Sequence, residues 1–222
     1  MNDAARRFWD ERAEDDAPHF VDDRLPYGAR AYDALFATSE EVVGAYERLL
    51  GIDFAGIGTV VEIGCGVGRT TRALAARAGH VVAIDVSPAM LAAAEQANPR
   101  LDNATWMLGD GTSLEGVDDS SADACFSHVV FQHVPDPAVT LGYVREIGRV
   151  LRPGGWAAFQ ISNDPEVHRR EDASGPTSSP YWLGSAVELP LLREVAAESG
   201  LEVAKVVGAG TQFCLIHARR PA

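Results

Sequence analysis

One stretch constrains this chain more than any other: Val60-Val61-Glu62-Ile63-Gly64-Cys65-Gly66-Val67-Gly68. The β-branched run from Thr59 to Ile63 reads as a buried strand. Glycines at alternate positions then break it, and Arg69 to Ala78 reads as an Ala-rich helix ending at Gly79. Glycine here permits a tight turn and lets a ligand come close to the backbone. The helix that follows offers free N–H groups to an anionic group.

The same alternation continues. His80 to Ile84 is a second strand, Ser87 and Pro88 cap and open a helix to Ala97, and Ala104 to Leu108 is a third strand. Ala122 to Ser127 is a fourth strand, Pro137 to Leu151 a helix, and Gly155 to Ile161 a fifth strand. Strands and helices in this rhythm make parallel βαβ units, hence an α/β fold. The end of the chain differs. Ser185 with Glu188 three residues on reads as a capping box opening a helix to Ser199, with Pro190 in its early turn. Leu201 to Val207 and Gln212 to His217 are strands separated only by Gly208 to Thr211, too short a gap for a helix, so they form an antiparallel hairpin.

Before the first strand lie Asp10, Glu11, Glu14, Asp15, Asp16, Asp22 and Asp23, interleaved with Phe8, Trp9, Phe20, Tyr27, Tyr32 and Phe36. Acids mixed with aromatics in this way predict short helices folded over something, and Ser39 starts a further helix to about Leu50. We therefore expect a helical cap over residues 1–57 and a core over 58–222, with a long loop at 163–184.

The 222 residues hold 19 Lys and Arg against 32 Asp and Glu, so the net charge is 19 − 32 = −13. With no basic stripe to offset that charge, neither nucleic acid nor an anionic membrane is an expected partner. Cys65, Cys125 and Cys214 are odd in number and far apart, which argues against a disulfide framework or a zinc site and for a reducing, cytoplasmic interior. The first residues lack a signal-peptide core, and no apolar run reaches membrane-spanning length.

Asp85 ends the second strand, 17 residues after Gly68. A carboxylate there can accept from both hydroxyls of a ribose, so the loop and the acid together read as a nucleoside site. Two users of such a site come into question, dinucleotide oxidoreductases and S-adenosylmethionine methyltransferases; a non-catalytic cofactor-binding module is a third possibility. The glycines run Gly-x-Gly-x-Gly with the bulky Arg69 next, unlike the dinucleotide fingerprint. Glu62, two residues before Gly64, suits a cationic cofactor with an amino-acid end better than a diphosphate.

On these residues the chain, from about Thr59 to His217, resembles the class I S-adenosylmethionine-dependent methyltransferases of small-molecule type. The glycine stretch is similar to that family's first motif, and Val82-Ala83-Ile84-Asp85-Val86-Ser87 to its second-strand acid. Gly109-Asp110-Gly111, Asp123-Ala124-Cys125-Phe126-Ser127 and Leu151-Arg152-Pro153-Gly154-Gly155 resemble the segments after strand three, at strand four and before strand five. The resemblance implies a doubly wound, Rossmann-like, seven-stranded and mostly parallel sheet with a reversed terminal hairpin. It implies S-adenosylmethionine as cofactor, with S-adenosylhomocysteine as product. In that reading Glu62, Gly64, Cys65 and Gly66 lie along the methionine and ribose, and Asp85 holds the ribose. Val86 and Met90 lie against the adenine, Asp110 and Gly111 at its amine, and Ser127 at the amino-acid end.

Transfer of a sulfonium methyl needs alignment above all, and a base only where the acceptor must lose a proton. His128 and His133 follow strand four, where a small-molecule acceptor is expected, and are the candidate catalytic residues. Asn163-Asp164 is similar to metal ligands of catechol-type methyltransferases, but Ser127 and His128 stand where the partner acid would be, so no metal is expected. Arg169 and Arg170, in the 163–184 loop, are candidates for gripping an acceptor carboxylate.

Overall fold

The computed structural model describes residues 3–166 and 184–222, and the chain divides into two compact units, residues 1–111 and 112–222. Arg169 and Arg170, with most of the expected long loop, lie outside the described residues.

The first unit runs α1 (Asp3–Val21), α2 (Tyr32–Ala37), α3 (Ser39–Leu50), β1 (Thr59–Ile63), α4 (Arg69–Ala75), β2 (His80–Asp85), α5 (Pro88–Ala97) and β3 (Ala104–Leu108). β1 and β2 pair in parallel, Thr59 opposite His80 through Ile63 opposite Ile84, and β2 and β3 from Val81 opposite Ala104 to Asp85 opposite Leu108. These strands are rich in β-branched residues, and β1 is buried from Val60 onward. α3 turns Val43, Tyr46 and Leu50 inward at helical spacing and ends at Gly51, which takes the left-handed conformation a helix terminus favours.

α1 is broken at Asp16, whose backbone leaves the helical region (φ −150°, ψ 77°) two residues before Pro18. Proline lacks the N–H that would bond back into the preceding turn, and its ring crowds that turn's carbonyl. The groups released by the break find other partners. Arg30 donates from Nη2 to the carbonyls of Glu14 (2.7 Å) and Asp15 (3.1 Å), and the Asp16 carboxylate accepts from the Gly28 amide at 2.6 Å.

The second unit runs β4 (Ala122–Ser127), a 3-10 turn (Phe131–His133), α6 (Pro137–Val150), β5 (Leu151–Ile161), α7 (Leu189–Glu198), β6 (Glu202–Val207) and β7 (Cys214–Arg219). β4 and β5 are parallel; β7 is antiparallel to both β5 and β6, as the short Gly208 to Thr211 connection requires. The sheet is therefore mixed and seven-stranded, in the order β3-β2-β1-β4-β5-β7-β6.

Two local expectations are corrected. β5 begins at Leu151, not Gly155: Leu151 already pairs with Ala122, and the ladder absorbs Arg152 to Gly154 through a register shift before Trp156 meets Ala124. The Ser185–Glu188 capping box does not form. α7 opens one residue after Glu188 without a side-chain cap, and the Ser185 hydroxyl donates to the carbonyl of Val134 at 2.8 Å instead. Among the described residues no helix is long and apolar enough to cross a membrane.

Candidate functional site

Gly64, Gly66 and Gly68 all adopt positive φ, at 72°, 53° and 81°. At Gly68 the requirement is doubled, because a Cβ there would stand 2.6 Å from the Trp106 ring and 2.8 Å from Asn98. Successive amides anchor the turn to β2: Gly64 and Cys65 both donate to the carbonyl of Ile84, at 2.8 and 2.9 Å.

Asp85 closes the arrangement. Its Oδ2 accepts from the Gly66 amide at 2.8 Å and its Oδ1 from the Ser87 amide at 2.9 Å, so one carboxylate joins the glycine turn to the start of α5. Burial raises its pKa, and these backbone bonds with that of Val86 oppose the shift. The carbonyl of Asp85 receives the Gly109 amide at 2.8 Å, which sets Asp110 and Gly111 immediately beyond β3; Gly111 has φ 77°.

Glu62 lies beneath the turn, fully buried, with its two oxygens accepting from the hydroxyls of Thr70 and of Thr71 (2.5 Å for the latter). Desolvation pushes its pKa up to about 7; the two hydroxyls and Arg69 pull the other way. Its role in this geometry is to tie β1 to the first turn of α4. Burial raises the Cys65 thiol well above its ordinary value, with the nearby Asp85 and Glu62 adding to the shift, which keeps it protonated and poorly nucleophilic. Met90 is 2% exposed and packs with Ala17, Leu35 and Val67, bordered by Trp9, Ala13 and Val21.

Three residues of the N-terminal segment reach this site, and sequence reasoning missed them. Asp10 Oδ1 accepts from the Ser87 hydroxyl (2.5 Å) and the Ala89 amide (3.2 Å), while Arg6 donates from Nε to the Val86 carbonyl at 3.3 Å. Asp22 pairs with Arg69 at 3.3 Å, both nearly buried, and its hydrogen bond from Arg24 leads the causes that hold its carboxyl below the ordinary range. The acidic, aromatic composition signalled that the segment folds over something. Nothing in it singled out Asp10 or Asp22 from the neighbouring acids. Asp10→Ala is expected to cost about 1–2 kcal/mol, since two orphaned donors lose their acceptor; urea unfolding followed by circular dichroism measures it.

In the second unit Ser127 is buried at the end of β4, and His128 and Val129 follow. Val129 has φ 56°, a strained conformation for a β-branched residue, of the kind that persists where the surroundings impose it. The turn after it is well fixed. Phe131 packs on Tyr143 and Phe159, with ring centroids 5.4 and 5.9 Å away, and Gln132 accepts the Gly184 amide at 2.9 Å. Gln132 and His133 lie with Nε2 atoms 3.2 Å apart. Asn163, matched earlier to a metal ligand, spends its amide on the chain: Nδ2 donates to Val187 (2.7 Å) and Oδ1 accepts from Gly210 (2.9 Å).

Residues 61–159 match the family model described as a methyltransferase domain. Phosphoethanolamine N-methyltransferase 1 of Triticum aestivum is 31% identical over 155 residues, which are 68% of this chain and 28% of that protein. Malonyl-[acyl-carrier protein] O-methyltransferase of Serratia marcescens is 36% identical over 170 residues, 76% of this chain and 63% of that protein. The chain thus spans less than two thirds of either relative. Magnesium protoporphyrin IX methyltransferase from Synechocystis, solved with bound S-adenosylhomocysteine, shares the fold with a TM-score of 0.71 at 18% identity, over 99% of this chain and all of that one. Residues 61–159 thus carry a methyltransferase domain, and its relatives, shared fold and ordered motifs support a class I S-adenosylmethionine-dependent methyltransferase.

Proposed function

We propose that this chain transfers a methyl group from S-adenosylmethionine to a small-molecule acceptor. The observation that carries the reading is Asp85: a buried carboxylate at a strand end, fixed by the Gly66 and Ser87 amides beside the glycine turn. Ribose hydroxyls are donors that would add to these amides and offset its desolvation. The relatives add to it: one is named for the N-methylation of phosphoethanolamine and another for the O-methylation of malonyl-[acyl-carrier protein].

In this reading the cofactor supplies an electrophilic methyl on a sulfonium, which is ready to be displaced. The chain binds and aligns. Gly64 and Gly66 keep side chains away from the ligand, and Asp85 fixes the ribose. We carry Cys65, Val86, Met90, Asp110, Gly111 and Ser127 as further cofactor contacts on the motif order. We carry Glu62 with them; its oxygens also accept from Thr70 and Thr71, which ties β1 to α4. His128 and His133 are assigned to the acceptor side, in line with the strain at Val129 between them. The helices before residue 57 serve as the cap. The reduced, buried state of Cys65, Cys125 and Cys214 suits a cytoplasmic setting.

Isothermal titration with S-adenosylhomocysteine and, separately, with NAD tests the reading. Saturable binding of the first and none of the second is expected. Binding of NAD alone would replace this reading with an oxidoreductase.

A further inference from the structure

In the second unit one backbone carbonyl dictates the polarity of three side chains in a row. Gln160, on β5, is 1% exposed, and its Nε2 donates both to the carbonyl of Gln212 and to Oε1 of Gln132, the latter at 3.1 Å. A carbonyl can only accept, so the amide atom facing Gln212 is nitrogen. The flipped amide would set oxygen against oxygen. The observed orientation holds even though it leaves Oε1 of Gln160, also buried, without a hydrogen-bond partner among the described residues.

The polarity then passes along. The second hydrogen on Gln160 Nε2 meets Gln132, which answers with its oxygen and so turns its own nitrogen toward Nε2 of His133, 3.2 Å away. An amide nitrogen only donates, so the ring atom opposite carries no hydrogen, and the hydrogen of the neutral imidazole sits on Nδ1. The backbone of this turn is anchored independently, by the Gly184 amide on the Gln132 carbonyl and by Phe131 between Tyr143 and Phe159.

We propose that Gln160 and Gln132 are positioning residues that hold His133 as the Nδ1–H tautomer, a hydrogen-bond donor to the methyl acceptor and not the base that deprotonates it. This rests on the assignment of His133 to the acceptor side and narrows the acceptor to one that attacks without first losing a proton. A carboxylate is the class a donated N–H suits. No proton moves in its methylation: the carboxylate oxygen takes the methyl and loses its charge, and the electron pair of the broken carbon–sulfur bond stays on sulfur.

Long-range proton–nitrogen correlation spectra of the full chain labelled with 15N-histidine read the tautomer directly, with His133→Phe assigning the signal. The expected ring carries its proton on Nδ1 at neutral pH. In Gln132→Glu the carboxylate accepts, so the proton should move to Nε2. In Gln160→Met the instruction from Gln212 is lost, and both tautomers should coexist. A wild-type ring protonated on Nε2 overturns the proposal whether or not either variant folds. The spectra need neither cofactor nor acceptor, so this failure is distinct from a failure to bind S-adenosylhomocysteine. With a carboxylate acceptor in hand, Gln132→Glu should lower kcat about 10²-fold, the usual effect of losing one aimed donor, with affinity for S-adenosylhomocysteine unchanged. An unaltered kcat beside a reversed tautomer would refute the donor role.

Discussion

Asp85→Ala is expected to remove most of the affinity for S-adenosylhomocysteine. The wild-type carboxylate would accept from two ribose hydroxyls, and hydrogen bonds to a charged partner are worth about 1.5–3 kcal/mol each. Their joint loss corresponds to roughly 10²–10⁴ in dissociation constant. The structure adds a cost in stability to this loss of binding. The Ser87 amide would stay buried with no acceptor and the partly buried Gly66 amide would lose its own, so a cost of about 1–3 kcal/mol accompanies the loss of binding. Calorimetric titration of the variant, with thermal unfolding alongside, separates the two effects. A folded variant that binds like the wild type would remove Asp85 from the site.

The second large effect is a dependence of stability on pH that runs against the usual direction for an acid. Glu62 has a folded pKa of about 7, against an ordinary value of 4.5, because burial disfavours its charge. The folded state therefore binds the proton more tightly than the unfolded one. Its contribution is fully present below pH 4.5 and is lost as pH rises through 7. At 1.36 kcal/mol per unit the loss totals about 3 kcal/mol. Glu62→Gln cannot ionise, yet it can accept from one of Thr70 and Thr71 and donate to the other. Relative to wild type it should gain about 3 kcal/mol between pH 4.5 and pH 8, read from urea unfolding at a series of pH values. A difference that stays flat over that range would mean that Glu62 is already ionised in the native protein.

Much of the frame was legible because the chain punctuates itself. β1 and β3 end where a glycine follows, and α5 opens at the capping Ser87 with Pro88 and stops just before Asn98-Pro99. The glycine turn and Asp85 were legible for the same reason, since both are local signals at a strand end. What escaped depends on tertiary partners. Ser185 and Glu188 have the spacing of a capping box, but a distant carbonyl, that of Val134, takes the serine hydroxyl. Asp10 and Asp22 look no different in sequence from Glu11 or Asp23, which remain exposed; only the fold turns them toward Ser87 and Arg69. The break in α1 follows from Pro18, yet its repair by Arg30, on another segment, could not be foreseen. The orientation of Gln132 is set by a carbonyl 80 residues further along the chain, beyond the reach of any local pattern.

The place of β7 bears on how the chain is made. It follows both β5 and β6 in sequence, yet it lies between them and pairs with both. Until it leaves the ribosome, β5 and β6 each present an unpaired edge, the kind of surface that invites association with other chains. A chain cut within β7 would lose an interior strand, not a frayed end, and its product would be cleared by quality control instead of accumulating as a slightly shortened protein.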